Sequence, residues 1–160
     1  MHSRIYQITT EPVRKDDFIT EADFYDHWFT NSIADYVDDD VDRINELEYL
    51  RGHLEGQRIA VFDLDYSFVI LPNGKMEYFK RAYDEFLSTQ EKISHLQFQD
   101  FVTGSGDFGH LLYTMNSAYC DKYESYVSSD EFDTITFDEF IRGAEIGRQY
   151  FIGGILDYHF

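Results

Sequence analysis

Residues 149–160, QYFIGGILDYHF, are rich in aromatic and β-branched residues and are interrupted by two adjacent glycines. This composition favours a β-strand. Gly153 and Gly154 indicate either a bulge within that strand or a hairpin that turns at the glycines. Near the other end of the sequence, residues 4–8, RIYQI, alternate between polar and apolar types and predict a second strand. A single sheet that contains both strands would tie down both ends of the chain.

The middle of the sequence carries the patterns of several amphipathic helices. In residues 42–55, apolar residues recur every three or four positions, and Gly56 provides a helix end. Thr136 and Glu139 form a capping box, which is a typical helix start. From patterns of the same kinds we expect helices that begin near Glu21, cover residues 42–55 and 76–91, run from Asp107 to Tyr126, and follow Thr136.

Residues 58–71 contain several β-branched residues and are predicted to be extended. The stretch 72–75, PNGK, predicts a hairpin turn, because Asn-Gly tolerates the positive φ of a tight turn; whether a return strand follows is left open. The elements lack the regular alternation of a doubly wound parallel sheet. We therefore predict an α+β fold, with a small, mostly antiparallel sheet and about four to five packed helices, in a single domain that covers residues 1–160.

The chain is strongly acidic and also rich in aromatic residues. It has 31 Asp and Glu against 13 Lys and Arg, a formal net charge of −18, with 15 Phe and 13 Tyr. Disordered acidic chains are poor in aromatic residues, so we expect this charge on a folded protein. The single cysteine, Cys120, excludes an intrachain disulfide. Since no apolar run has the length of a signal peptide or a membrane helix, we expect a cytoplasmic protein.

The negative charge is concentrated in residues 16–48, which hold 12 acidic residues and one basic residue, Arg43. The total charge exceeds the magnitude of about 2–8 that keeps a small domain soluble. Because self-repulsion costs stability, the excess suggests a function. Tyrosine supplies a large contact area and is enriched at interfaces. The residues predicted to contact a partner are therefore Asp35, Tyr36, Asp38, Asp39, Asp40, Asp42 and Glu46.

These features predict an acidic protein-binding module rather than an enzyme, with no cofactor, no metal site and no direct binding to nucleic acid or membrane. Its partner would be a basic protein. Duplex DNA carries one negative charge per roughly 1.7 Å of axis, so an ordered acidic protein can occupy the basic groove of a nucleic-acid-binding enzyme. The profile is similar to that of the DNA-mimicking antirestriction and anti-CRISPR inhibitors of phages and mobile elements. Two alternatives stay open, an accessory subunit of a larger assembly and a phosphohydrolase.

The phosphohydrolase hypothesis depends on a short motif that follows a predicted strand. Residues 62–67, FDLDYS, resemble the opening motif of the haloacid dehalogenase-like family, Asp-x-Asp-x-Thr/Val. The resemblance implies that Asp63 is a nucleophile and Asp65 a general acid/base, with Mg²⁺ bound between aspartate and phosphate. Ser67 stands where the family has Thr or Val. The structural alternative is a pair of polar positions that alternate with apolar ones along a strand.

Overall fold

A computed structural model of the protein describes residues 1–64, 66–105, 107–121, 124–129 and 133–160. The chain forms two compact units, Met1–Lys75 together with Tyr123–Phe160, and Met76–Lys122. Over the described residues, the helices are α1 (Trp28–Ser32), α2 (Arg43–Gly56), α3 (Gly74–Ser94), α4 (Phe98–Thr103), α5 (Phe108–Tyr119) and α6 (Phe137–Gly143), with short 3₁₀ helices at Lys15–Asp17 and Glu21–Phe24.

The first unit is built around a seven-stranded sheet that is mostly antiparallel, which confirms the predicted α+β class. Its strands are β1 (His2–Thr9), β2 (Tyr36–Asp38), β3 (Ala60–Phe62), β4 (Ser67–Ile70), β5 (Tyr126–Ser128), β6 (Ile135–Thr136) and β7 (Gln149–His159). Their order is β3-β4-β7-β1-β5-β6, and β2 also pairs with β7. One edge of β7 therefore carries β1, and its other edge carries β4 and then β2.

The two ends of the chain are neighbouring strands. β1 and β7 run antiparallel, from His2 opposite His159 to Thr9 opposite Phe151. This pairing confirms both predicted terminal strands and explains why the longest strand, β7, lies in the interior of the sheet. A central strand is buried on both faces, which its aromatic and β-branched composition suits.

The glycine pair in β7 forms a bulge rather than a hairpin turn, since the register against β1 shifts there. The Gln7 Oε1 atom accepts hydrogen bonds from the N–H of Gly154 (2.8 Å) and from the N–H of Ile19 (3.1 Å). A Cβ atom on Gly153 would lie 2.2 Å from the same Oε1 atom. Glycine is therefore required at position 153, because the Gln7 side chain occupies the space that any larger side chain there would need.

An aromatic core covers one face of the sheet. The ring of Phe29 lies 4.7 Å from that of Tyr126 and 5.0 Å from that of Tyr158, in edge-to-face geometry. Phe29 and Tyr158 are completely buried, and Ile5 and Leu156 belong to the same cluster. Edge-to-face ring pairs stabilise a core beyond the effect of buried area alone, so this cluster holds α1 against the central strands.

Helix α2 confirms the helix predicted over residues 42–55. Its first turn is capped by Asp42, whose carboxylate accepts the N–H of Asn45 at 3.2 Å. Leu47, Leu50 and Leu54 are buried, as their spacing predicted. The helix lies along β3 and β7.

The helix predicted from Glu21 is shorter than expected. Its capping box forms, but the 3₁₀ helix ends at Phe24, and α1 begins separately at Trp28. Phe24 and Phe29 both belong to the aromatic core. In one continuous helix these two side chains would point about 140° apart, so the break lets both face the sheet.

The prediction of a hairpin turn at residues 72–75 is wrong. The hairpin is formed by β3 and β4, with Phe62 opposite Phe68, and Tyr66 in the turn has a φ of 55°. The PNGK stretch instead leads from β4 into α3. A Cβ atom on Gly74 would lie 2.0 Å from the Ile59 carbonyl oxygen, so this glycine is required by a close contact and not by a positive φ.

The second unit contains α4, α5 and nearly all of α3. Helix α3 confirms the amphipathic helix predicted over residues 76–91. Helix α5 begins after Asp107 as predicted. It ends at Tyr119 and not at the predicted Tyr126, because Tyr126 belongs to β5 and pairs with β1. In the described part of the chain, no helix combines the length and the apolarity needed to span a bilayer.

Candidate protein-binding surface

Strand β2 places the predicted contact residues beside the end of β7. Tyr36 lies opposite His159, and Val37 lies opposite Tyr158. Because side chains alternate along a strand, Val37 packs against the aromatic core, whereas Tyr36 and Asp38 belong to the other face. The aspartates that follow Asp38 continue beyond the end of the strand.

Five aspartates in this stretch form what we call the acidic surface: Asp35, Asp38, Asp39, Asp40 and Asp42. Asp38 is half-buried and the other four are exposed. The Asp38 Oδ1 atom accepts the N–H of Asp40 at 2.8 Å, which fixes the turn after β2. Among the described residues, no Lys or Arg nitrogen lies within 4.0 Å of a carboxylate of the acidic surface.

Asp35 and Tyr36 both contact the same histidine. The His159 Nδ1 atom lies 3.2 Å from the Asp35 carboxylate, and the Tyr36 ring stacks on the imidazole at 5.4 Å with an angle of 7° between the planes. The Asp35 side chain nevertheless remains 73% exposed. Tyr36 is 46% exposed, so its outer ring face and hydroxyl are accessible to a partner.

Glu46 differs from the other predicted contact residues because it is paired within the fold. Its Oε1 atom lies 2.8 Å from a guanidinium nitrogen of Arg4, which also pairs with Asp157. The Glu46 side chain is only 21% exposed. The structure therefore brings Glu46 into an ion-pair network on the sheet and not into the acidic surface.

Arg43, the single base in residues 16–48, is directed into the fold. It donates from Nε to the Gly153 carbonyl at 2.7 Å and from Nη2 to the Ile152 carbonyl at 2.8 Å. Its guanidinium also lies 4.8 Å from the centre of the Phe18 ring. Burial lowers the pKa of this guanidinium. The guanidinium therefore stabilises the bulge of β7, where the carbonyls need donors. It forms no ion pair with an aspartate of the acidic surface.

Glu21 belongs to a different segment but lies beside the acidic surface. One carboxylate oxygen from each of Glu21, Asp38 and Asp39 lies within 4.8 Å of the other two. At this separation two like charges repel by about 1 kcal/mol in water. The Tyr25 hydroxyl donates to Glu21 Oε1 at 2.8 Å, and this hydrogen bond raises the pKa of Tyr25. The sequence does not single out Glu21, since only the tertiary fold brings the 3₁₀ helix against β2.

The setting of Asp63 differs from the one that the family resemblance implies. Its Oδ1 atom accepts the Ser67 N–H at 3.0 Å, and its Oδ2 atom accepts the Ser67 hydroxyl and the Gln149 side-chain amide, the latter at 3.0 Å. The strand before it, β3, continues into a hairpin with β4 and not into a βαβ unit. Asp63 thus stabilises a turn, while Asp65 lies outside the described residues.

Comparisons with family models, with curated proteins and with solved structures give no match to this chain. Its function is therefore argued from its own residues.

Proposed function

We propose that this chain is an acidic protein-binding module, with the acidic surface and Tyr36 as its contact area for a basic partner protein. One observation carries the proposal: five aspartates occupy residues 35–42, and none is paired with a described Lys or Arg. Elsewhere in the first unit, several arginines pair with acids, as Arg4 does with Glu46 and Arg51 with Glu55. The acidic surface is thus a dense local group of carboxylates without a described Lys or Arg partner.

The physical argument is that this arrangement costs stability unless something offsets it. Clustered carboxylates repel one another, and the fold directs its nearest arginine, Arg43, toward backbone carbonyls instead. A basic partner would neutralise this repulsion on binding. Complementary charge also accelerates association and rejects partners of like charge. Tyr36 adds an exposed aromatic ring of the type enriched in binding hot spots.

The more specific form of the proposal is an inhibitor that occupies the nucleic-acid-binding groove of its partner. A net charge of −18 on 160 residues supports it, because such grooves are built to neutralise a dense row of phosphates. The inhibitor and the nucleic acid would then compete for one surface.

The test is affinity capture on the immobilised full chain, with elution by salt and identification of the bound proteins by mass spectrometry. We expect basic proteins to bind at about 0.1 M salt and to elute toward 1 M, because the Debye length falls from about 10 Å to about 3 Å. Excess duplex DNA in the extract should displace a partner whose nucleic-acid groove is occupied. Partners that remain bound at high salt would contradict the proposal, and partners that DNA does not displace would contradict its inhibitor form.

A further inference from the structure

A small cavity opens beside the acidic surface, between the 3₁₀ helix Glu21–Phe24 and β2. Its volume is about 120 Å³. All of its lining lies within the first unit. The residues that line it and matter for its chemistry are Glu21, Phe24, Tyr25, Asp35, Tyr36 and Val37.

The size of the cavity limits what can occupy it. Pockets for cofactors and drug-sized molecules have volumes of roughly 300–1,000 Å³, so this cavity is too small for them. A cavity of roughly 150 Å³ holds a benzene molecule. The cavity therefore fits the end of one side chain, as the anchor pockets of protein interfaces do.

The lining combines aromatic walls with a negatively charged mouth. Phe24 is 3% exposed and forms an apolar floor, while Tyr25 and Tyr36 are 67% and 46% exposed. Glu21 and Asp35 contribute carboxylates to the lining. An apolar floor suits methylene groups, and tyrosine faces together with carboxylates suit a cation.

More carboxylates than those of the lining act on the mouth of the cavity. One Glu21 oxygen lies within 4.8 Å of one oxygen each of Asp38 and Asp39. Asp35, in contrast, has a partner within the fold: the His159 Nδ1 atom lies 3.2 Å from its carboxylate, and the Tyr36 ring stacks on the same imidazole. The Glu21 side of the mouth therefore carries the larger share of uncompensated negative charge.

We propose that this cavity receives the side chain of one arginine from the basic partner protein. The inference rests on the proposed function, whose partner it specifies. Arginine fits better than lysine because its planar guanidinium stacks on aromatic faces and forms two parallel hydrogen bonds with a carboxylate. Its methylene groups would contact Phe24, with the guanidinium between Tyr25 and Tyr36 and near Glu21.

The test is an NMR titration of the ¹⁵N-labelled full chain with the tripeptide acetyl-Gly-Arg-Gly-amide. Saturable shifts should appear at the amides of the lining residues, with weaker binding of the lysine tripeptide. The citrulline tripeptide has nearly the same shape without the charge and should cause no shifts there. Equal shifts from citrulline, or shifts confined to other parts of the chain, would overturn the proposal.

Two variants and one control assign the binding to the cavity. Tyr36→Leu should weaken arginine binding about two- to fivefold, and Glu21→Gln should weaken it about threefold. Tyr49→Leu removes a tyrosine from the exposed side of α2, where Tyr49 is 72% exposed, and should leave the affinity unchanged. Unchanged affinity in both cavity variants would contradict the assignment. If calcium chloride alone saturates shifts at Glu21, Asp38 and Asp39 and the tripeptide causes none, the site binds inorganic cations and the proposal is overturned.

Failure of this inference is distinguishable from failure of the proposed function. If captured partners bind the Tyr36→Leu and Glu21→Gln variants as tightly as the wild type but lose affinity when Asp38, Asp39 and Asp40 are all changed to Asn, the cavity and the contact of Tyr36 are refuted and the acidic surface stands. If no salt-sensitive basic partner is captured while the tripeptide binds in the cavity, the proposed function fails and arginine recognition stands.

Discussion

Replacing Glu124 by Gln is predicted to stabilise the protein at neutral and alkaline pH. Glu124 lies shortly before β5, and its Oε1 atom accepts the N–H of Asp138 at 3.2 Å. Burial and the neighbouring Asp138 carboxylate raise the pKa of Glu124 to about 8. Arg142 lies 3.6 Å from Asp138 and compensates that carboxylate. The folded protein therefore keeps a proton on Glu124 that the unfolded chain releases.

The magnitude follows from the two proton affinities. In the unfolded chain the pKa of Glu124 is near 4.5, and in the folded chain it is about 8. Between these values the folded state binds more protons, so stability is greatest below about pH 4.5 and falls as the pH rises through about 8. One pH unit is worth about 1.4 kcal/mol, and pH 7.5 lies about three units above the unfolded value, so this group costs about 4 kcal/mol of folding free energy at about pH 7.5. Gln is neutral at every pH and avoids that cost.

The assay is urea unfolding of the wild type and of Glu124→Gln at intervals between about pH 5 and pH 8. The variant should be more stable by only about 1 kcal/mol near pH 5 and by about 4 kcal/mol near pH 7.5, the latter equivalent to a Tm difference of about 8–16 °C. Glu145→Gln is the control, because Glu145 is 70% exposed and its replacement should add no such pH dependence. A difference that does not change with pH, or a destabilised Glu124→Gln at neutral pH, would refute the reasoning.

Three further changes test the fold and the site. Gly153→Ala should cost about 2–3 kcal/mol of unfolding free energy because its methyl group overlaps Gln7, whereas Gly143→Ala, with nothing within 4 Å, should cost nothing in the same denaturation assay. Arg43→Met should cost about 2–3 kcal/mol in urea unfolding, since two carbonyls of the bulge lose a charged donor; an unchanged unfolding midpoint would show that water replaces it. Asp63→Asn should leave the rate of phosphate release from p-nitrophenyl phosphate with Mg²⁺ the same as in the wild type. A rate that is measurable in the wild type and lost in the variant would restore the phosphohydrolase hypothesis.

Local patterns predicted the elements whose periodicity is visible in consecutive residues. The strands at both ends of the chain and helix α2 were located because their periodicity is a property of consecutive residues. The hairpin was misplaced because two local signals were misleading. Gly74 is required by a contact with Ile59, and the actual turn places the non-glycine residue Tyr66 at positive φ, for which the sequence carries no signal.

The candidate site was predicted in part for the same reason. The run of aspartates is visible in the sequence, so the acidic surface could be located from it. The pairing of Glu46 could not be predicted, because its partner Arg4 lies in another strand. Glu21 was missed for a similar reason, since the fold alone brings it within 4.8 Å of Asp38. Long-range contacts therefore decide which of the many carboxylates remain available to contact a partner.

The most direct measurement compares two variants of equal net charge in their affinity for a partner captured at low salt. The first changes Asp38, Asp39 and Asp40 to Asn. The second changes Glu77 to Gln, Asp84 to Asn and Glu91 to Gln, all exposed on α3. We predict that the first loses at least about tenfold in affinity and shows a weaker dependence on salt, while the second resembles the wild type. Equal loss in both variants would show that total charge, and not the acidic surface, determines binding.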